Sequence, residues 1–489
     1  MWSRLPPRFV ANMLNSHTVV GLAASVLLYV LCLSGTVMVF HEEFARWEQP
    51  GVPEFLQVSP QSVENMAQET LAGLDEPPHH FYIMLPVQDM PRMSITADET
   101  SWYANAAGER IARVDTPWTT FLTQLHYYLT LPGVLGLTLV GILGVLMTAL
   151  VFSGVLAHPK LFRDAFKLRF KGNARLRETD THNRLGVWAM PFHLVVAFTG
   201  AALGLASLVA VTLAPRYSEG DFEAFFAPVF GEEGAEDERP APLADISTAL
   251  ANFKAQHPDL VPWYVSFHDP ATVGQGAEIL AQHPRRLVYG DNYHFDQEGN
   301  ITGSTGLADG ALGQQVAASL YTLHFGSFGG LLVKLAYGVF GILSTVVVAS
   351  GINIWLLKRR QRGRPAAALE RAWKGTLWGT PFAMSLVLAL VVAGVNSVGV
   401  HVAVFWIALT GAMVLAMALP RIAVHDILRR LAGALLLVAV LAHAAIHLDE
   451  FHSPAAWGIS AALLVFASWL LKPRRLLAAW GREPMAASR

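Results

Sequence analysis

The chain has 489 residues, of which 53% are hydrophobic and only 15% charged, with a formal net charge of −2. An average soluble domain carries about 25% charged residues, so a soluble fold is excluded and no nucleic-acid partner is expected. The single cysteine, Cys32, excludes an intrachain disulfide, a CxxC site and a cysteine-held iron–sulfur cluster.

Apolar runs near or above the ~20 residues that cross a bilayer occupy 18–40, 131–157, 187–213, 331–357, 379–396, 399–419, 431–448 and 455–471. They predict a polytopic α-helical membrane protein with about eight transmembrane helices. The segments 1–16, 158–186, 358–378, 420–430 and 472–489 hold 25 of the 35 Lys and Arg but 6 of the 37 Asp and Glu. Positive charge marks the cytoplasmic side, so both termini are expected there, in a bacterial inner membrane. The first run is too long for a signal-peptide core and no small-residue cleavage site follows it, so it is expected to be retained.

In chain order, residues 1–41 carry the first membrane helix and residues 42–125 a periplasmic module. Within that module Ser59-Pro60 reads as a helix start, opening an amphipathic helix to about Leu74. Alternating runs at His80–Leu85 and Met93–Ala97 read as strands, and Trp102–Ile111 as two more joined by a turn ending in Gly108. Residues 126–213 hold the second and third membrane helices around a basic loop with Lys160, Arg163, Lys167, Arg169, Lys171, Arg175 and Arg177. That loop reads as a positive-inside loop on anionic lipid; nothing separate supports docking of an electron donor there. A second, more acidic module follows at 214–323, with a similar turn from His294 to Ile301. Residues 324–358 carry the fourth helix, and 359–489 an appended four-helix unit without a copy of the earlier pattern.

The first four helices read as two copies of one hairpin. From His126, glycines follow at +15 and +18 and Ser153-Gly154 at +27 and +28; from His324 they follow at +14 and +17, with Ser350-Gly351 at +26 and +27. His17 is followed by Gly21 at +4 and Ser34-Gly35 at +17 and +18, and His182 by Gly186 and Thr199-Gly200 at the same spacings. Asn105 and Asp296 each precede a glycine by three residues, which extends the duplication to the modules.

A histidine within or beside a membrane run is costly and marks a functional candidate. Of the 18 histidines, His17/His182 and His126/His324 are duplicated, whereas the copy positions of His193, His41 and His158 are Leu28, Ala206 and Trp355. A two-fold axis along the membrane normal would set each duplicated pair face to face at one depth, which suits the two axial positions of a haem. His193, eleven residues past His182 and thus about 16 Å further along a helix, and His158 are alternates for the cytoplasmic-side position. His401, His443, His447, Asp449, Glu450 and His452 form a looser group that reads as helix-end polar residues, with a metal or extra cofactor site as the other reading.

His17-x-x-x-Gly21 with Ser34-Gly35, Leu125-His126, His182-Asn183-Arg184-x-Gly186-x-Trp188 and Leu323-His324-Phe325-Gly326-x-Phe328-Gly329-Gly330 together resemble the PepSY-associated transmembrane helix family. That family includes ferric-siderophore reductases. The resemblance covers about residues 10–360 and makes the two turns PepSY-like. It implies two haem b groups on His17, His182, His126 and His324, and electron flow from an unidentified donor to a periplasmic ferric siderophore or other iron chelate. Two other readings stand beside it: a transporter with a histidine proton relay, and a PepSY-type sensor of periplasmic peptides or proteases.

Overall fold

The computed structural model describes residues 5–158, 165–166, 174–230, 237–283, 287–450 and 453–473. Most of the basic loop expected before the third membrane helix, and His452, lie outside them. The elements run α1 (Pro7–Met38), α2 (His41–Glu48), α3 (Pro60–Ala72), β1 (His80–Met84), β2 (Met93–Ala97), β3 (Thr100–Ala104) and β4 (Arg110–Arg113). Next come α4 (Pro117–Tyr128), α5 (Gly133–Ala157), α6 (Ala174–Trp188), α7 (Met190–Tyr217), α8 (Phe222–Phe230) and α9 (Ile246–Gln256). Then follow β5 (Val261–His268), β6 (Gly276–Gln282), β7 (Asp291–Phe295), β8 (Ile301–Thr305), α10 (Leu312–Phe325) and α11 (Gly330–Gln361). The chain closes with α12 (Ala367–Val392), α13 (Val398–Ala418), α14 (Val424–Ile446) and α15 (Pro454–Leu471). Eight of these helices, α1, α5, α7 and α11 to α15, are long and apolar enough to cross a membrane.

Several helices outrun the hydropathy that announced them. α1 begins at Pro7 and α12 at Ala367, each about eleven residues before the apolar run expected there. Hydropathy marks the stretch that suits lipid, whereas a helix ends where its hydrogen bonds or its caps do, and Pro7 at the first position suits a helix start.

The chain folds as two compact units. One is formed by residues up to Trp47, Pro117–Leu205 and Leu335 onward, the other by Glu48–Thr116 and Ala206–Lys334. In the second, the two expected modules share one sheet of eight strands, in the order β4-β3-β2-β1-β5-β6-β7-β8. β1 and β5 pair antiparallel at the seam, with Phe81 opposite Phe267 and Ile83 opposite Val265. Each module alone would leave that strand as an edge with unpaired N–H and C=O groups, and the seam removes both edges. The mirrored order relates the modules by a local two-fold through the seam.

Phe81, Ile83, Ile95, Val265, Phe267 and Ile279 point to one face, where they are buried with Val63, Met66 and Ala67 of α3 and Ala249 and Phe253 of α9. Both helices start on side-chain caps: Ser59 Oγ accepts from Ser62 N (3.0 Å) and Asp245 Oδ1 from Thr248 N (2.8 Å). The two turns match as well. Asn105 Oδ1 accepts from the N–H groups of Ala107 and Glu109, and Asp296 Oδ1 from those of Glu298 and Asn300. Gly108 and Gly299 have φ of 91° and 78°, and a Cβ on either would lie within 2.7 Å of backbone in the first turn of α3 or of α9 and its cap. Glycine is required there on both counts.

One carboxylate ties the modules together. Buried Glu64 on α3 accepts from Ile246 N (2.7 Å) and Ser247 N (3.3 Å), at the positive end of α9. Replacing Glu64 by Ala strands those donors and should cost about 1–3 kcal/mol. Denaturant unfolding followed on the sheet should show it, with Glu64→Gln intermediate.

On the other face, His294 lies between Glu278 (Nδ1 to Oε1, 3.0 Å) and the Thr305 hydroxyl (2.9 Å). The hydrogen bond that His294 donates to Glu278 raises its pKa above the usual value, and burial opposes it. The stabilisation is therefore full below the unfolded-state pKa and is lost as pH rises through the higher folded one. An NMR titration of His294 should move to lower pH in Glu278→Gln.

Candidate functional site

In the membrane unit the glycines that mark the repeat are crossing points. A Cβ on Gly141 of α5 would lie 2.8 Å from Leu205 Cγ and 2.9 Å from the Gly204 carbonyl carbon on α7. In the other copy, a Cβ on Gly341 of α11 would lie 2.6 Å from Thr36 Oγ1 on α1. Helices in lipid associate by such close packing. It brings α5 to α7 and α11 to α1, each in contact with a helix of the other copy.

On this frame His17 and His182 have the same seat. His17 Nδ1 lies 3.0 Å from the Leu150 carbonyl oxygen and 3.1 Å from Ser153 Oγ. His182 Nδ1 lies 3.0 Å from the Val347 carbonyl oxygen and 3.1 Å from Ser350 Oγ. A carbonyl oxygen only accepts, so in both rings the proton sits on Nδ1 and Nε2 keeps a free lone pair. That is the arrangement by which ligating histidines are oriented and made more basic. Behind each ring lies the glycine after the serine: a Cβ on Gly154 would sit 3.1 Å from His17 Cε1, and one on Gly351 3.4 Å from His182 Cε1.

The two ring centres lie 6.1 Å apart, with the planes nearly perpendicular at 82° in an edge-on arrangement. Metal–imidazole bonds of about 2 Å place the centres of two rings opposed across one metal about 6 Å apart. Both rings line a cavity of about 460 Å³, within the usual size of a cofactor pocket. Gly21 and Gly186, the +4 glycines of the repeat, line it too, and a Cβ on Gly186 would meet nothing within 4 Å. Lys358, Arg359 and Arg362 line the cavity as well, and among the described residues no carboxylate lines it.

Both alternates border the same cavity. His158 follows the last residue of α5, and His193 lies in the first turn of α7, the helix after the one that carries His182. The copy position of His193, Leu28, also lines it, so one half offers an imidazole where the other offers an alkyl group. His193 Nε2 is buried and has no hydrogen-bond partner among the described residues. Neither alternate repeats the Nδ1 seat that His17 and His182 share.

His126, on α4, also rests on a Ser-Gly pair: its Nδ1 lies 3.3 Å from Ser34 Oγ, and a Cβ on Gly35 would fall 2.5 Å from its Cε1. His324 lies in the last turn of α10, which belongs to the other compact unit. Among the described residues, no three His, Cys, Asp or Glu side chains gather as a bare metal ion would need. His443 stacks on Trp47 with centres 3.8 Å apart, and His447 pairs with Glu450 at 2.8 Å. His401 Nε2 lies 2.7 Å from the Val395 carbonyl oxygen.

The pattern “PepSY-associated TM region” matches residues 14–358, most of the chain. The chain belongs to the PepSY-associated transmembrane family. An uncharacterized protein of Pseudomonas aeruginosa is 26% identical over 286 residues, 56% of this chain and 72% of that protein. The PepSY-associated region takes in His17, His126, His182 and His324 and stops at Lys358, so α12 to α15 lie beyond it.

Sequence reasoning marked the Ser-Gly pairs as signs of duplication and gave them no task. The structure assigns one: each of the three Ser-Gly pairs holds a histidine from a neighbouring helix. The signal was the spacing of histidine to the Ser/Thr-Gly pair, kept to within one residue between the copies. In ¹⁵N NMR spectra of unliganded protein, His17 and His182 should report the Nδ1–H tautomer. Ser153→Ala should leave that of His17 unchanged, because the Leu150 carbonyl still accepts.

Proposed function

We propose that the protein is an inner-membrane di-haem oxidoreductase that passes electrons to a periplasmic ferric chelate such as a ferric siderophore. The observation that carries this reading is the opposed His17/His182 pair, held alike through Nδ1 over a shared cavity with both Nε2 lone pairs free. A haem b on those two nitrogens would supply one-electron chemistry tuned by its axial ligands and burial.

The chain's own residues have distinct duties in this reading. Leu150 and Val347 carbonyls fix the rings, Ser153 and Ser350 add a second hydrogen bond, and Gly154 leaves room behind His17. Leu22, Leu28, Val151 and Val348 supply an apolar part of the cavity wall, while Lys358, Arg359 and Arg362 suit anionic side groups of the occupant. A bare divalent cation would gain nothing from three cations, which favours an amphiphilic ring with an anionic edge. His126, seated on Ser34-Gly35, is proposed as a ligand of the second haem.

The charge pattern supports both termini in the cytoplasm and the sheet unit in the periplasm. Reduction loosens iron's bond to hard oxygen donors, so a chelate would release it there.

Purified protein should show a reduced b-type absorption spectrum. His17→Ala or His182→Ala should remove one of two haems, and Ser153→Ala with Ser350→Ala should weaken its binding about tenfold or more. Ferric siderophore should reoxidise dithionite-reduced protein. A folded, colourless protein would sink the haem reading, and failure to reoxidise across a panel of chelates would sink the substrate.

A further inference from the structure

The role of the appended helices follows from how the two copies turn out of their histidine helices. In the second copy the chain leaves α10 at Gly326, two residues past His324, with φ of 71° and its N–H on the Thr322 carbonyl. Glycine takes that left-handed conformation without strain. In the first copy the chain leaves α4 through Leu129 and Thr130, with φ of 47° and 62°. Neither is glycine, and successive side-chain-bearing residues in that region persist only where their surroundings hold them.

The surroundings come from the appended unit. The Trp406 indole N–H of α13 donates to Thr130 Oγ1 at 2.7 Å, and that hydroxyl donates to the Leu129 carbonyl. Thr130 N–H closes on Gln124 O (2.8 Å), so the turn clamps the last turn of α4, where His126 sits. Phe405 packs on Phe121 of α4 with centres 5.7 Å apart, and buried His401 meets the same ring edge-on at 6.4 Å. Leu122, Leu125 and Leu129 join one buried cluster with Phe405 and Leu409 of α13 and Val387 and Leu388 of α12. His126 therefore rests on Ser34-Gly35 of α1, while its helix and the turn beyond are fixed by α12 and α13.

We infer that α12 and α13 brace the His126 site: Trp406 and Thr130 are positioning residues that replace, in the first copy, the glycine turn used in the second. This rests on the reading of His126 as a haem ligand. It assigns a task to part of the chain outside the PepSY-associated region.

The test uses full-length purified protein carrying Thr130→Val, Trp406→Phe, both together, or Thr130→Ser. Spectra of His126→Ala and His17→Ala assign the two haems, and transfer to excess apomyoglobin reads their loss separately. Thr130→Val and Trp406→Phe should each speed loss from the His126 site about fivefold, as one net hydrogen bond implies, and leave the His17/His182 site unchanged. The double variant should do no more than either single one, and Thr130→Ser should behave as wild type. Equal loss from both sites, or no change at either, would overturn the brace. Amide exchange over 122–128 gives a readout free of haem: it should rise in Thr130→Val and Trp406→Phe. If the wild type holds no haem, the ligand reading fails while exchange still decides whether the brace exists.

Discussion

The membrane unit depends on a hydrogen bond made twice, from a histidine Nδ1–H to a carbonyl one helix away. A helix carbonyl is normally satisfied by its own ladder, and Leu150 and Val347 each lend a second lone pair. Their serines also hydrogen-bond back to those carbonyls (3.2 and 2.9 Å), so hydroxyl, carbonyl and imidazole form a closed triangle in each copy. Such a triangle fixes which nitrogen is presented before any ligand arrives. Preorganisation of this kind lowers the ordering cost of binding. The bond explains why the repeat preserves spacing rather than sequence: register between helices is what it needs.

Much of this was legible in the sequence because the signals are local. Ser59-Pro60, the alternation at 80–85 and 93–97, and the Asn105–Gly108 and Asp296–Gly299 turns each act over a few residues, and the elements form where those patterns place them. The seam between β1 and β5 was not legible, since the expected elements include no strand at 261–268 and the pairing joins residues as distant as His80 and His268. The pairing of His17 with His182 could be anticipated from duplication; their anchoring on Leu150 and Val347 could not, because any backbone carbonyl looks alike in a sequence. The appended helices were the least legible. Their Ala, Val and Leu specify burial without a partner, so a contact such as Trp406 with Thr130 could not be read from them.

Duplication has not produced equivalence. Leu28 and His193 occupy matching positions on one cavity wall, and the turns after His126 and His324 are built from different residues. The symmetric parts are those that hold imidazoles in place, whereas the asymmetric ones surround them. Two copies of one hairpin can thus acquire different polarity and rigidity.

The seam carries a cost in time. His80 and His268 are 188 positions apart, and the intervening chain includes helices that must enter the membrane. At about 5–20 residues per second, a ribosome needs roughly 10–40 s to deliver the strand that β1 awaits. Through that interval the newborn half-sheet presents a bare edge to its surroundings, and long-range pairing of this sort is slow to close. Biogenesis of this protein is thus a wait, and whatever shields β1 meanwhile is part of how it comes to exist.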